Sequence, residues 1–135
     1  MGDQHITSEE ALQLHKRFLQ ELLQDMMKVF DTGNAGVERM IKGLRVYWDS
    51  NHQRAATRRT VLAATAGTPY ENQVEPMGRP FQAMIRAELL ASGIKDSQEL
   101  SQMVYEEARQ IALEEALTGK RKLKRREKLI ARIPQ

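Results

Sequence analysis

Apolar side chains recur along most of the chain at steps of three and four residues, the spacing of one face of an α-helix. The clearest case lies between Val37 and Trp48, where the apolar positions form a single stripe. No segment alternates between apolar and polar residues over more than a few positions, so the pattern predicts no β-strand. We therefore expect an all-α fold of about six helices joined by short loops.

The first predicted helix begins at a capping box. The Thr7 hydroxyl is placed to accept from the Glu10 amide, while the Glu10 carboxylate reaches back to Thr7. The apolar positions that follow cover more than half of the helix circumference, so we expect this helix to be largely enclosed. Gly33 is predicted to cap its C-terminal end.

The third and fourth helices are less regular in sequence. The third is predicted from about residue 51 to residue 66, with fewer large apolar side chains. Residues 68 to 71 have the pattern of a second capping box. Pro76 and Pro80 are expected to break or kink the helix that begins there, near residues 75 to 79, because proline removes a backbone hydrogen bond.

The remaining helix ends carry clear signals. Gly93 followed by Ile94 is typical of a Schellman ending for the fourth helix. Residues 96 to 99 begin a long fifth helix, which Gly119 is expected to close. A last short helix is predicted within residues 123 to 133.

The apolar faces exceed what a simple antiparallel bundle would bury, and a dimer would use the surplus. The long fifth helix presents four apolar or small residues at steps of four and three, with Ala108 allowing close approach of a second helix. We predict a twofold homodimer with these residues at its interface: Leu100, Val104, Ala108 and Ile111.

Composition excludes several classes of protein. The chain has no cysteine, which excludes disulfides, thiol catalysis and cysteine-ligated zinc. No apolar run approaches the roughly 18 residues that a membrane helix needs. Residues 1 to 5 lack the basic start and apolar stretch of a secretory signal. We expect a cytoplasmic protein that does not enter a membrane.

Charge is distributed unevenly along the chain. Residues 120 to 132 carry eight basic side chains and one acidic one, although the whole chain has a net charge of only +3. We predict a disordered N-terminus (1–6), a helical dimerisation domain (7–119) and a basic C-terminal helix and tail (120–135). The candidate basic patch is Lys120, Arg121, Lys122, Lys124, Arg125 and Arg126. We interpret it as a solvated helix face, because no aromatic residue lies among these positions to stack on nucleic-acid bases. Binding to phosphate groups or to an acidic protein partner stays an alternative.

Several strings of residues, taken in order, carry a resemblance to one family. Ser8-Glu9-Glu10-Ala11-Leu12 and residues 17 to 23 resemble the start of the long linking helix in the TetR family of transcriptional regulators. Further segments resemble successive parts of the regulatory domain of that family, and they are residues 43–48, 78–81, 88–94, 108–119 and 125–133. The resemblance implies that residues 7–119 are a helical regulatory domain, a bundle that dimerises and senses a ligand.

The same resemblance sets a limit on DNA binding. Members of the family carry an upstream helix-turn-helix, whose second helix docks in the major groove. Only six residues precede Thr7 in this sequence. We therefore expect that this protein does not bind DNA in a sequence-specific manner.

A candidate ligand pocket follows from residue type and from the resemblance. Small-molecule sites are mostly apolar, with a few aromatic polar groups that orient the ligand. The alternative is that the same side chains only fill the core, as buried aromatic residues normally do. The candidates for binding a small hydrophobic ligand are Phe18, Leu22, Met26, Leu44, Tyr47, Trp48, Phe81, Met84 and Tyr105.

No motif predicts an enzyme. His5, His15 and His52 have no partner at metal-ligand spacing, so neither a metal nor a cofactor is expected. His15 is a candidate polar group of the pocket. Two pairs of adjacent glutamates occur, Glu106-Glu107 and Glu114-Glu115. Adjacent side chains on a helix point about 100° apart, so the two carboxylates of a pair do not converge on a substrate. The chain has no nucleophile elbow, phosphate loop or dinucleotide fingerprint.

Three functions are consistent with the sequence. The first is a ligand-sensing and dimerisation domain of the TetR type without a DNA-binding domain. The second is a stand-alone antagonist that binds a transcription factor and blocks it through protein–protein contacts. The third is a nucleic-acid-binding protein that acts through its basic tail.

Overall fold

A computed structural model of the chain describes residues 6 to 75 and 78 to 135. Within these two ranges the protein is entirely helical and has no strand, which confirms the predicted fold class. The predicted disorder of the N-terminus falls on residues 1 to 5, outside the described residues. The six helices are α1 (Ser8–Phe30), α2 (Val37–Gln53), α3 (Ala55–Thr65), α4 (Gly78–Ala91), α5 (Ser97–Thr118) and α6 (Leu123–Ala131).

Several of the predicted helix ends are present in the structure, among them Asp96 and Gly119 as the two caps of α5. The Thr7 hydroxyl accepts from the Glu10 amide at 3.0 Å, and the Glu10 carboxylate accepts from the Thr7 amide at 2.9 Å. At the end of α4 the Ile94 amide donates to the Leu89 carbonyl at 3.1 Å, with Gly93 at a φ of +74°. Both the capping box and the Schellman ending are confirmed.

The predicted start of the third helix is wrong by a few residues. Helix α2 continues to Gln53, and only Arg54 separates it from α3. The reason is that Asn51 lies in phase with the apolar stripe of α2 and is fully buried with it. Its side-chain amide donates to the Tyr47 carbonyl one turn earlier, at 2.8 Å.

The predicted helix after residue 67 is replaced by a tight turn. A single 3₁₀ turn spans Glu71–Gln73. The Thr68 hydroxyl accepts from the Tyr70 amide at 3.2 Å, and the Glu71 carboxylate accepts from the Gly67 amide at 3.2 Å. These side-chain bonds stabilise the turn locally, and the segment is too short to nucleate a helix of its own.

Helix α4 begins only after this turn. Its first residue is Gly78, so Pro80 lies in the first turn, where its missing N–H costs no intrahelical bond. Pro80 therefore does not kink α4. Pro76, the other proline of the predicted break, lies outside the described residues.

Helix α2 lies at the centre of the packing. It contacts α1, α3, α4 and α5, while α1 also packs on α3, and α6 packs on α5. No helix in the described part of the chain is both long and apolar enough to cross a membrane. The shared core comprises Phe18, Leu22, Met26, Val37, Met40, Leu44, Tyr47, Trp48, Phe81, Ile85, Leu89, Val104, Ala108, Ile111, Ala112, Leu129, Ile130 and Ile133.

A buried ion pair fixes α6 on this core. The Arg126 guanidinium donates to both carboxylate oxygens of Glu115 at 2.7 Å and to Asp49 at 2.8 Å. The guanidinium also lies over the Trp48 ring, 5.5 Å from its centroid. This two-point geometry is the strongest form of a charged hydrogen bond, so it ties α6 to both α5 and α2.

We expect Arg126→Met to destabilise the protein by about 3–5 kcal/mol, because Glu115 is then left buried without its counter-charge. Chemical unfolding in urea measures this change. Arg125→Met is the matched control, since Arg125 pairs with Glu107 and Glu114 at a half-exposed position and such pairs contribute under about 1 kcal/mol. Equal, small losses in the two variants would contradict the anchoring role of Arg126.

Candidate ligand-binding site

All nine predicted pocket residues belong to the apolar core or pack against it. Seven are almost completely buried in the core, and the other two, Met84 and Tyr105, are partly buried against it. Four surface depressions formed by described residues include none of the nine. The structure therefore places these side chains as packed core, and their contact with a ligand stays a prediction.

Trp48 and Tyr47 face different surroundings although they are neighbours in α2. The Trp48 indole N–H donates to the Ala108 carbonyl of α5 at 3.0 Å, so its hydrogen-bonding capacity is used within the core. The Tyr47 hydroxyl is fully buried and has no hydrogen-bond partner among the described residues. Of the two, only Tyr47 offers a polar group to a ligand.

Three buried polar side chains are what we call the polar centre: His15 of α1, Tyr47 of α2 and Arg58 of α3. Their exposed fractions are 3%, 0% and 4%. Arg58 lies near enough to the other two for its charge to lower the pKa of each. His15 Nε2, Tyr47 Oη and Arg58 Nε each lack a hydrogen-bond partner within the described residues. Proteins satisfy roughly 90% or more of such groups, and each unsatisfied one costs about 1–3 kcal/mol.

Arg58 has few compensating contacts. Its Nη1 donates to the Asn51 side chain over a long 3.4 Å. No carboxylate in the described ranges lies within ion-pair distance of its guanidinium. The acidic group whose charge acts on Arg58 is Glu75, and the Glu75 carboxylate is itself bound by Arg109 at 2.7 Å.

The pKa shifts follow from burial. Burial lowers the pKa of Arg58 and raises the pKa of Tyr47 well above its usual range. Burial, and then the positive charge of Arg58, lower the pKa of His15, while a backbone hydrogen bond with Glu75 and the Glu75 charge oppose this more weakly. At neutral pH the polar centre therefore holds one guanidinium charge, one phenol that keeps its proton and one neutral imidazole.

Aromatic rings contact two members of the polar centre, Tyr47 and His15. The Tyr47 and Phe81 ring centroids are 4.4 Å apart, and Tyr105 meets Phe81 edge to face at 6.0 Å. On α1 the His15 ring stacks on Phe18 at 6.0 Å. These contacts place the polar groups of His15 and Tyr47 beside packed aromatic rings.

Most of these aromatic residues were predicted from the sequence, but the charged residue of the polar centre was not. Phe18, Tyr47, Phe81 and Tyr105 belong to the predicted pocket, and His15 was named as a polar candidate. Arg58 was not predicted. The available signal was its position in α3, in phase with the buried Val61 and three residues after the buried Ala55.

Of the six residues in the predicted basic patch, three are buried or half-buried and three are exposed. Arg126 is buried and Arg125 is half-buried, and both are bound to carboxylates of α5 or α2. Lys122 is half-buried, with its amide donating to Glu115 at 2.9 Å. Only Lys120, Arg121 and Lys124 of the six are exposed, so the patch open to a partner is smaller than the sequence indicates.

The residues predicted for a dimer interface lie inside a single chain. Val104, Ala108 and Ile111 are fully buried in the core, and Leu100 is partly buried against it. A dimer interface needs such side chains at the surface, and the structure does not place them there. The reason is that α5 turns this stripe towards α2 and α4. Homodimerisation itself stays a prediction.

Comparisons with known proteins add no relative to this description. No family model matches the chain, and neither a curated protein nor a solved structure matches it.

The lowered pKa of His15 predicts a dependence of stability on pH. The unfolded chain takes up a proton at His15 near the ordinary value of 6.5, while the folded protein resists it. The contribution of neutral His15 to the stability of the folded protein is fully present above pH 6.5. It is lost as the pH falls from there towards the lower pKa of His15 in the folded protein. We expect His15→Gln to lose less stability than the wild type between pH 7.5 and 5.5 in urea unfolding. An identical loss in both proteins would contradict this.

Proposed function

We propose that this protein is a ligand-sensing domain of a transcription regulator of the TetR type, and that its ligand binds at the polar centre. The proposal joins two independent supports. One is the ordered resemblance of the sequence to TetR-family regulatory domains. The other, which carries the proposal, is the set of buried donors and acceptors at His15, Tyr47 and Arg58 that lack partners among the described residues.

Energetics favour a ligand at this position. Buried polar groups without partners destabilise the folded protein, and a bound molecule that supplies the partners recovers that free energy. The aromatic rings of Phe81 and Tyr105 beside the polar groups suit a ligand with an apolar part. Binding would thus couple directly to the stability of the helical core.

The polar centre is also well placed for sensing. His15, Tyr47 and Arg58 belong to three different helices, so one ligand would bridge α1, α2 and α3. By the resemblance, α1 corresponds to the helix that joins the regulatory half of a TetR repressor to its DNA-reading half. A ligand that contacts His15 would therefore act on the element through which such repressors transmit a signal.

The proposal predicts a specific thermal response. A screen of small metabolites by thermal shift should find compounds that stabilise the protein increasingly with concentration, by about 2.7 kcal/mol at 100 times Kd. The fluorescence of Trp48, next to Tyr47 in α2, should change with the same apparent Kd. Native mass spectrometry of the gently purified protein gives the mass of any bound compound.

Two tyrosine variants test where the ligand binds. Tyr47→Phe removes one hydroxyl and should weaken binding about tenfold, the value of one hydrogen bond of about 1–1.5 kcal/mol. Tyr70→Phe is the matched control, because Tyr70 lies in the turn before the 3₁₀ segment and should leave binding unchanged. Absence of any stabilising compound would contradict the proposal and leave the antagonist function as the next to test.

A further inference from the structure

Four charged side chains are almost fully buried in the described part of the protein, and one of them lacks a counter-charge. Glu88 is bound by Arg39 at 2.6 and 2.8 Å. Glu115 and Arg126 bind each other. Arg58 is as buried as these three, yet the only hydrogen bond of its side chain within the described residues is the long contact to the neutral Asn51.

We infer that the polar centre binds a small monocarboxylate with an apolar body, whose carboxylate pairs with the Arg58 guanidinium and accepts a hydrogen bond from the Tyr47 hydroxyl. This inference rests on the proposed function and adds the chemical class of the ligand. A buried charge is tolerated when it is paired and hydrogen-bonded, and Arg58 has no such partner in the described ranges.

The charge of the ligand follows from the groups that face Arg58. His15 is uncharged at neutral pH, and Glu75 and Arg109 neutralise each other at the rim. One positive charge is left, so one negative charge balances the site. A phosphate monoester would bring close to two negative charges at pH 7, which this single guanidinium does not match.

The shape of the donors favours a carboxylate among monoanions. The guanidinium is planar and offers donors in a fork that matches two carboxylate oxygens. Arg58 Nε is one unpartnered donor, and the Tyr47 O–H is another. Bound water would satisfy these hydrogen bonds but would leave the charge uncompensated. The rings of Phe18, Phe81 and Tyr105 then contact the rest of the molecule.

The experiment compares acids with their neutral amides on the intact protein. Thermal shift and calorimetric titration are run with acetate, benzoate and octanoate, and with benzamide and octanamide. We expect benzoate or octanoate to stabilise the protein, acetate to do so weakly and both amides to have no effect. The benzoate and octanoate arms distinguish an aromatic from an aliphatic body.

Two arginine variants test whether Arg58 binds the carboxylate of the ligand. Arg58→Met should weaken binding of the acid about 10- to 100-fold, the effect of losing a charged hydrogen bond. Without ligand, the same variant should melt at the same or a higher temperature than the wild type, because an unpaired buried charge has been removed. Arg17→Met, on the exposed face of α1, should bind like the wild type.

Each remaining outcome has a definite meaning. Equal stabilisation by acid and amide, or unchanged acid binding in Arg58→Met, would overturn the carboxylate assignment while the ligand-sensing function stands. If no acid of the panel binds but neutral compounds of the wider screen do, the assignment fails alone. If neither binds, both proposals fail. The acid and amide comparison uses only the wild type, so it holds even if Arg58→Met does not fold.

Discussion

The structure depends on how a small helical core neutralises the charges that it buries. Glu115 and Arg126 bind each other in the core and thereby hold α6 against α5 and α2. Glu88 of α4 is bound in the same two-point manner by Arg39 of α2. Removing one member of such a pair is far more costly than never burying it. The one buried charge without a counter-charge among the described residues, Arg58, is therefore the feature that most needs an explanation.

Helical periodicity predicted most of this fold. The capping box at Thr7 and the glycine ending at Gly93 both appear in the structure, because caps are set by local hydrogen bonds that a sequence reveals directly. The boundary at Arg54 was misplaced, since buried Asn51 continues the stripe of α2. The turn after Gly67 was taken for a helix, because a capping pattern does not reveal whether the segment after it is long enough.

The candidate site was only partly accessible to sequence reasoning. Residue type predicted the buried aromatic residues, because large apolar side chains at helical spacing are normally buried. Whether Val104 faces a second chain or its own core depends on how α5 is rotated against α2, which periodicity leaves open. Arg58 was missed because arginine is normally exposed, and its burial results from the packing of α1 on α3, a tertiary effect.

The central proposal for this protein is that a small carboxylate pairs with Arg58. A crystal structure of the protein grown with 4-bromobenzoate tests it most directly, because the bromine locates the ligand by anomalous scattering. We expect the carboxylate oxygens within hydrogen-bond distance of Arg58 Nε and Tyr47 Oη, about 2.7–3.2 Å, and the bromine among the aromatic rings. Density for the compound only at the surface, with the polar centre unchanged, would contradict the claim.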